Sequence, residues 1–454
     1  MNLSLKSIEN ATGGTVYGKD LSITNVSIDS RTVKPGGLYV AIRGDRFDGH
    51  SFLEAAKENG AVAFMVEEAP QTTGTPYILV KDTRLAFLAL ASLYRQSFPN
   101  LFLVGLTGSV GKTTTKEMIW AVLSEAYNTL KTEGNLNNEI GMPKTLLRLT
   151  EDTEAAVIEM GMSNFNEIDR MTRSALPNLA VITNIGTSHI EFLGSKDGIL
   201  KAKTEIFHGM QKGATAFLNG DDDKLWGYQN PDYKLEYFAI DNDKATVRAT
   251  EIETVGDTTE FTVIYPNGKQ KVVLNTIGKH NVYDALAAFC VGLYRNIAPE
   301  KIAEGLSKYQ TVGLRQKIEH AGGVTFIADC YNASLDSQKA ALSVLASLSA
   351  KRKIAVLGDM LELGDFSKTA HKEVGAFAAQ QKIDALYCYG EAAKEIYSAA
   401  KEEIPTYYFK EKKDLTKALQ NDLKTGDAVL FKASRGMKLE EVLDILTKEW
   451  AEHE

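Results

Sequence analysis

The sequence has few cysteines, few prolines and no strongly basic segment. Its 3 cysteines among 454 residues lie far apart and without metal-ligand spacing, which excludes a disulfide framework and favours a reducing compartment. With 10 prolines, no low-complexity tract and 44% hydrophobic residues, the chain has the composition of a globular protein. Because no lysine- or arginine-rich block offsets the net charge of −8, general nucleic-acid binding is excluded.

Long apolar runs are also missing. None approaches the roughly 20 residues that a membrane helix needs. Residues 1–14 lack the basic region and apolar core of a signal peptide. We therefore expect a cytoplasmic protein that is neither exported nor membrane-spanning.

Residues 105–116, GLTGSVGKTTTK, form a phosphate-binding loop with a G-x-x-G-K-T core. The full pattern requires glycine at position 106, where this chain has Leu106, so the match is a variant. An apolar strand pattern precedes the loop and a helical period follows it, as such a loop requires. The loop predicts nucleoside triphosphate binding by Gly108, Ser109, Val110, Gly111, Lys112, Thr113 and Thr114.

Each conspicuous residue type in this loop has a physical purpose. The two glycines let backbone N–H groups turn toward phosphates, and the following helix N-terminus adds partial positive charge. Lys112 can reach the terminal phosphates, and the Thr113 hydroxyl can bind Mg²⁺. A glycine turn that only joins a strand to a helix does not explain these two side chains.

Strands and helices alternate along most of the chain, which predicts an α/β protein of three domains. Residues 1–98 are expected to form a small α/β domain, because the segment 97–100 breaks a helix just before the phosphate-loop strand. Residues 99–312 are expected to form a doubly wound, mostly parallel sheet that ends in a hairpin around 266–268. Residues 313–454 are predicted to be Rossmann-like, without the G-x-G-x-x-G fingerprint.

Several polar residues follow predicted strands, at the sheet edge where open α/β folds bind ligands. Glu159 closes one strand and is a candidate metal ligand; the alternative is a capping or solvated glutamate. His189 follows the next strand, where it can bind a divalent ion or be purely structural. Asp329 and Asn332 follow a strand of the last domain. The neighbouring Cys330 fits a small buried residue better than a nucleophile.

Other candidates are ambiguous from the residues alone. Asn135 and Asn138, in GNLNNEIG at 134–141, can bind polar substrate groups or form a plain turn. His280 and Asn281 open a helix, where Asn281 can cap the helix or read an adenine edge. Lys203 has the pattern of a solvated lysine on an amphipathic helix. Arg315 can reach a phosphate across a cleft or simply be exposed.

Together these segments resemble the Mur ligase family over nearly the whole chain. The shared motifs are TGSVGKTTTK, GNLNNEIG, IEMG, TNIGTSHIEFLG and GKHN. Within the family, VLGDMLELG at 356–364, the following His371 and YNAS at 331–334 resemble the members that join D-Ala-D-Ala to UDP-MurNAc-tripeptide. The resemblance implies an ATP-dependent amide ligation through an acyl phosphate. It also implies small-molecule substrates and a monomer.

The resemblance also implies roles for individual residues. Lys112 contacts the transferred phosphate, while Thr113, Glu159 and His189 hold two Mg²⁺ ions with the help of a carbamylated Lys203. His280 and Asn281 match the adenine site, and Arg315 and Asp329 match residues of the third domain that close over ATP. The resemblance implies that this third domain also binds the incoming dipeptide. The UDP-sugar region is matched by Ser30, Arg31, Thr32, Asp48, Gly49 and His50.

The chain departs from the family pattern at three places. Ala328 precedes Asp329 where two aspartates are usual, Ser334 and Leu335 stand in place of Asn-Pro, and Asp284 stands in place of asparagine. Two alternatives remain for function. One is another ligase of the superfamily, which adds the third stem-peptide residue or extends folate with glutamate. The other is a non-catalytic protein that uses ATP as a conformational switch.

Overall fold

The computed structural model describes residues 1–44, 47–71 and 74–452. Its three large sheets have five, nine and six strands, and each sheet takes its strands from one continuous stretch of chain. The predicted α/β class with three such units is therefore confirmed. The boundaries at residues 98 and 312 stay a prediction. In these ranges, no helix has both the length and the apolar character needed to cross a bilayer.

The first unit is a five-stranded sheet, in the order β2-β7-β6-β5-β4, with a two-stranded ribbon of β1 and β3 beside it. All neighbours in the sheet are parallel except β2 and β7. The strands are β1 (Leu3–Ser4), β2 (Thr15–Tyr17), β3 (Ser22–Ile23), β4 (Asn25–Ser27), β5 (Gly37–Val40), β6 (Ala61–Val66) and β7 (Tyr77–Leu79). The helices are α1 (Leu5–Thr12), α2 (Leu53–Glu58) and α3 (Thr83–Gln96).

The second unit is a nine-stranded sheet, in the order β16-β15-β14-β13-β12-β11-β8-β10-β9. Its strands are β8 (Phe102–Thr107), β9 (Thr129–Lys131), β10 (Ala155–Glu159), β11 (Leu179–Ile182), β12 (Thr215–Asn219), β13 (Lys234–Ala239), β14 (Val247–Val255), β15 (Thr258–Tyr265) and β16 (Gly268–Leu274). Its helices are α4 (Lys112–Ser124), α5 (Gly141–Leu146), α6 (Glu167–Ala175), α7 (Ile190–Leu193), α8 (Lys196–Thr204), α9 (Lys279–Tyr294) and α10 (Pro299–Ser307). Strands β8 to β14 are parallel, and the antiparallel β15–β16 hairpin ends the sheet as predicted.

The third unit is a six-stranded sheet, in the order β17-β18-β22-β19-β20-β21, which is parallel except for β17. Its strands are β17 (Lys317–Ala321), β18 (Val324–Asp329), β19 (Arg352–Gly358), β20 (Ala385–Tyr389), β21 (Thr406–Phe409) and β22 (Asp427–Lys432). Its helices are α11 (Leu335–Ser347), α12 (Ser367–Gln380), α13 (Lys394–Ala400), α14 (Lys412–Asp422) and α15 (Glu440–Ala451).

Burial on both faces explains why the central strands are continuous apolar runs. Every residue of β8, β10 and β11 is buried, with one hydrophobic cluster on each face of the sheet. These strands are parallel neighbours, so their carboxyl ends meet at one edge. The phosphate loop after β8, Glu159 at the end of β10 and the segment 183–189 after β11 are thereby brought together.

One ion pair joins the starts of two neighbouring strands in the third unit. The Arg352 guanidinium donates to both carboxylate oxygens of Asp427, at 3.0 and 2.6 Å, and also to Asp422. Asp427 is 2% exposed, so its charge depends on this partner. The paired carboxylates raise the pKa of Arg352. Such a bidentate pair is stabilising only while both partners remain.

Arg352→Met should therefore destabilise the third unit by about 2–3 kcal/mol, because it leaves a buried carboxylate unpaired. Hydrogen exchange of peptides covering β19 and β22 measures this locally. Lys372→Met is the matched control, since its ammonium is half-exposed and lies 3.8 Å from Glu395. Equal exchange in both variants would contradict the importance of the Arg352 pair.

Candidate functional site

A cleft of about 720 Å³ lies between the second and third units. It is lined by predicted site residues from both, namely Ser109, Val110, Gly111, Lys112, Thr113, Thr114, Asn135, Asn138, Glu159, His189, His280, Asn281, Arg315, Asp329 and Asn332. Pockets of this size bury a typical small-molecule ligand. The eight other predicted residues, Gly108, Lys203, Ser30, Arg31, Thr32, Asp48, Gly49 and His50, are not among those that line it.

The phosphate loop has the backbone that its glycines permit. Gly111 has φ of 82°, in the left-handed region, and a Cβ there would lie 2.6 Å from Asp284 Oδ1. Helix α4 begins at the next residue, Lys112, whose ammonium group donates to the carbonyl oxygens of Gly108 and Ser109 at 2.7 and 3.2 Å. Desolvation lowers the pKa of Lys112. The two hydrogen bonds hold the Lys112 amino group at the loop that would receive phosphate.

Residues after β11 support the loop from outside. The Asn184 side chain accepts from Val110 N–H at 2.9 Å and donates to Val110 O at 3.0 Å, and the Thr183 hydroxyl donates to the same carbonyl. A Cβ at Gly108 would lie 1.8 Å from Thr183 Oγ1, so only glycine fits there. These hydrogen bonds within the chain are sufficient to fix the conformation of the loop.

Glu159 is buried among donors, so it is neither a capping nor a solvated residue. Its carboxylate accepts from the Thr113 hydroxyl at 3.1 Å and from the Asn137 amide at 2.8 Å. The Lys116 ammonium group lies 3.7 Å from Glu159 Oε2 and is fully buried, without a hydrogen bond among the described residues. Lys116 was not among the predicted site residues. Its spacing of four residues from Lys112 on the same helix places both side chains on one face, and this spacing could have identified it.

Lys203 is 1% exposed, so the interpretation as a solvated lysine is wrong. Helix α8 packs it into the second unit, and no opposite charge or side-chain hydrogen bond contributes to the pKa of its amino group within the described ranges. Desolvation, with the charge of Lys112 adding to it, lowers the pKa of Lys203 well below its ordinary value. Burial thus favours the neutral, nucleophilic amine.

His189 faces the third unit. Its Nδ1 atom lies 2.9 Å from Glu362 Oε2 but lacks the geometry of a hydrogen bond. The imidazole nevertheless lowers the pKa of the Glu362 carboxyl. Both residues have left-handed backbones, with φ of 62° and 61°. Such conformations are strained for residues with a Cβ and concentrate at functional sites.

No group of three or more His, Cys, Asp or Glu side chains in the described parts of the chain forms a ready-made metal cage. The metal ligands predicted for this site are the Thr113 hydroxyl at the start of α4, the Glu159 carboxylate at the end of β10 and the His189 imidazole after β11, with the carbamylated Lys203 of α8. Mg²⁺ usually binds one or two carboxylates and completes its octahedron with water and substrate phosphates. The donor set fits that mode of binding.

His280 and Asn281 are tied to the third unit through Gln316. His280 Nε2 lies 2.7 Å from Gln316 Oε1, which also accepts from the Asn281 amide at 3.0 Å. The helix-capping interpretation of Asn281 is wrong, because α9 begins at Lys279 with Gly278 as its cap. No sequence pattern pointed to Gln316, whose importance comes only from the approach of the two units.

The third unit provides a mixed-charge wall. Lys432 is buried and donates to Asp329 Oδ2 at 2.8 Å and to Asn332 O at 3.1 Å. Arg315 stacks over Tyr331, with its guanidinium carbon 3.7 Å from the ring centroid. Cys330 is fully buried, and burial raises its pKa to about 12, as expected for an inert thiol.

The three asparagines of the tract at 134–141 have different surroundings. The Asn138 side-chain oxygen accepts from the Ile140 and Gly141 N–H groups at the start of α5, so part of its polarity is used within the chain. Asn135 is exposed toward the cleft. Asn137, which lies between them, contacts Glu159 as described above.

The six predicted residues of the first unit follow two neighbouring parallel strands, β4 and β5. Arg31 is 85% exposed and binds the Asp29 carboxylate through two side-chain bonds, which lower the pKa of Asp29 to about 2. His50 is fixed by Asp48, 2.6 Å from Nδ1, and by the Glu67 N–H. These residues form a second polar region away from the cleft.

Asp284 is an unusual carboxyl behind the phosphate loop. It is 5% exposed, and it accepts from the Thr115 hydroxyl at 2.6 Å. Desolvation raises its pKa from 3.8 to about 7, although the Thr115 bond opposes the shift. The folded protein therefore holds a proton here between pH 4 and 7 that the unfolded chain has lost. The resulting loss of stability grows through this window and is complete above pH 7.

Asp284→Asn should remove this cost while keeping the acceptor for Thr115. We expect the variant to gain stability over the parent as pH rises from 5 to 8, by at most about 4 kcal/mol. Thermal unfolding midpoints across that range test it. Asp243→Asn, at an exposed position of the same unit, is the control. Parallel pH curves for Asp284→Asn and parent would contradict the assignment.

Three family descriptions match the chain in succession: "Mur ligase family, catalytic domain" at residues 22–95, "Mur ligase middle domain" at 106–292 and "Mur ligase, glutamate ligase domain" at 315–435. A UDP-N-acetylmuramoyl-tripeptide–D-alanyl-D-alanine ligase of Bacillus subtilis is 41% identical over 97% of both chains. The Escherichia coli enzyme of that name is 38% identical over 88% of both.

Solved structures agree with the sequence comparisons. A crystal structure of MurF from Acinetobacter baumannii superposes with a TM-score of 0.92 and 31% identity, covering 99% of both chains. MurF ligase from Thermotoga maritima, in complex with ADP, superposes with a TM-score of 0.84 and 28% identity, covering 95% of this chain and 98% of that one. This chain belongs to the Mur ligase family, and it is similar to MurF enzymes over nearly its whole length.

Proposed function

We propose that this chain is an ATP-dependent ligase that joins D-Ala-D-Ala to UDP-MurNAc-tripeptide and forms the UDP-MurNAc-pentapeptide precursor of peptidoglycan. The observation that carries the proposal is the cleft, where a phosphate loop and a buried carboxylate face Arg315 and Lys432 of the third unit. The relatives named for this reaction support the choice of substrates.

The reaction begins with transfer of the γ-phosphoryl group of ATP to the terminal carboxylate of the tripeptide. Both reactants are anionic, so the site must offset several negative charges before they can approach. Lys112 and the loop N–H groups bind phosphate oxygens, and Arg315 adds charge from the opposite wall. The dipeptide amine then attacks the acyl phosphate carbon, forming the amide and releasing phosphate, with ADP as the other product.

Thr113 and Glu159 are the residues that would hold one Mg²⁺, and His189 would help to hold a second. When bound, Mg²⁺ supplies positive charge to the transferred phosphoryl group. The Thr113 hydroxyl and the Glu159 carboxylate lie 3.1 Å apart, so both oxygens can turn toward one cation. Asn137 steadies the carboxylate from the side.

Lys203 is proposed to carry a carbamate that assists metal binding. A carbamate forms when a neutral amine takes up CO₂, and the buried Lys203 amine favours that neutral form. The product is an anion, which changes the sign of the local charge beside Lys112. A buried lysine without a partner in the described structure is consistent with such a modification.

The remaining predicted residues are assigned by resemblance. Ser30, Arg31, Thr32, Asp48, Gly49 and His50 would receive the UDP-sugar, while Asn135, Asn138 and Asn332 would contact the peptide. His280 and Asn281 would bind adenine, and Asp329 would close over ATP through its bond with Lys432. We further propose a cytoplasmic monomer acting on small molecules, with domain boundaries at residues 98 and 312.

The proposed function predicts phosphate release from ATP and Mg²⁺ that requires both UDP-MurNAc-tripeptide and D-Ala-D-Ala. Mass spectrometry should detect the pentapeptide product. Turnover with glutamate in place of the dipeptide would indicate another ligase of the family. Nucleotide binding without any ligation would favour a conformational switch.

Lys203→Ala should lower turnover by about 100-fold or more, because the carbamate that would help to hold Mg²⁺ at the transferred phosphate is lost. Short-chain carboxylates such as acetate or propionate should restore part of the activity by entering the space. Lys201→Ala is the matched control, since Lys201 is exposed on the same helix. Full activity of Lys203→Ala without added carboxylate would rule out the carbamate.

A further inference from the structure

One carboxylate of the cleft differs from the others. Five acidic residues besides Glu362 line it, and each accepts at least one hydrogen bond from within the chain; they are Glu159, Glu167, Asp284, Asp329 and Asp336. Among the described residues, Glu362 has only the imidazole of His189 beside it, without hydrogen-bond geometry. Its side chain is 55% exposed to the cleft.

The segment that carries Glu362 is firmly held, although it is a loop. Met360 N–H donates to the buried His371 Nε2 at 3.0 Å, and Leu361 N–H donates to Ser434 Oγ at 2.9 Å. Just before them, the Asp359 carboxylate accepts from Ala393 N–H at 2.7 Å. A side chain on such an anchored loop can orient a ligand at low entropic cost.

An apolar side chain, Leu361, and a cationic one, Arg435, lie near Glu362. Leu361 lines the cleft and is 46% exposed, which leaves an apolar surface beside the carboxylate. The segment that contains Arg435 packs beside Leu361. The neighbouring Gly436 is so close that a Cβ on it would lie 3.0 Å from the Leu361 side chain. Arg435 is 59% exposed, with Glu440 at 2.7 Å. Anionic, apolar and cationic groups therefore lie close together.

We propose that Glu362 binds the ammonium group of the incoming dipeptide, with Leu361 against its methyl groups and Arg435 toward its carboxylate. This inference rests on the proposed function. D-Ala-D-Ala is a zwitterion near neutral pH, with a positive end, a negative end and two methyl groups between them. The three side chains match these features in kind.

The position of Glu362 gives the contact a purpose in the reaction. The nucleophile must approach a phosphorylated carboxylate in a cleft already occupied by phosphate, and a free ammonium would otherwise pair with phosphate oxygens. A carboxylate from the third unit, beside His189 of the second, instead directs the amine end to the junction between the units. The bound ammonium must lose one proton to solvent, which reaches the half-exposed Glu362, before the neutral amine attacks and phosphate leaves. Binding the reactant in this orientation lowers the entropic part of the barrier.

Glu362→Gln tests the proposal through a split of kinetic constants. We expect KM for D-Ala-D-Ala to rise at least tenfold, while KM for ATP and for UDP-MurNAc-tripeptide stays within twofold of the parent. The first half-reaction needs no dipeptide, so the hydroxamate formed when hydroxylamine traps the acyl phosphate should keep its rate. Glu402→Gln, at an exposed position of the same unit, is the control.

A dipeptide analogue gives a second test. Propionyl-D-alanine has hydrogen in place of the amino group, so its inhibition constant should be equal for the parent and for Glu362→Gln. Loss of hydroxamate formation in the variant, or an unchanged KM for D-Ala-D-Ala, would overturn the proposal. If the parent ligates no D-Ala-D-Ala at all, the proposed function fails first. A parent that does so, with a variant of unchanged KM, refutes only this inference.

Discussion

The repulsion between like charges is the constraint on which this structure depends. A triphosphate and a peptide carboxylate must meet in a protein whose net charge is −8 and whose cleft already contains several acidic side chains. The chain meets this constraint locally: acidic groups are given donors, as Glu159 is by Thr113 and Asn137, and cations are placed at the loop and on the opposite wall. The fold contributes to this charge balance, because parallel strands bring these groups to one edge of the sheet.

Much of the site could be predicted because its signals are local. The strand that Glu159 closes was predicted to end there and does so, since buried parallel strands are continuous apolar runs with clear ends. Short strands such as β1 and β3 were missed, because two residues contain no period that can be recognised. The edge strand β21 was missed for a related reason, since only its neighbours in the sheet define it.

Contacts between distant parts of the chain were beyond the reach of sequence patterns. Gln316 lies 35 residues from Asn281, and nothing in either segment indicates that the two amides meet. Lys203 has the spacing of a surface residue, yet the surrounding elements exclude water from it. In both cases the decisive factor is packing between elements that are far apart in the sequence, which leaves no local period. The assignments that came from family resemblance, such as the carbamate, have a chemical rationale only once this burial is known.

Gln316 also belongs to the connection between the second and third units. It follows the short connection after α10 and is bound to α9 and to the Ile277 carbonyl, so the two units are fastened beside the proposed adenine site. A rotation of the third unit about this attachment would leave the groups bonded to Gln316 nearly still and would move groups that are not bonded to it, such as Leu361 and Glu362, farther. Small rotations would thus be amplified where the second substrate enters. Such a rotation would allow the nucleotide to bind first and the dipeptide to enter afterwards, while the two units stay attached at Gln316.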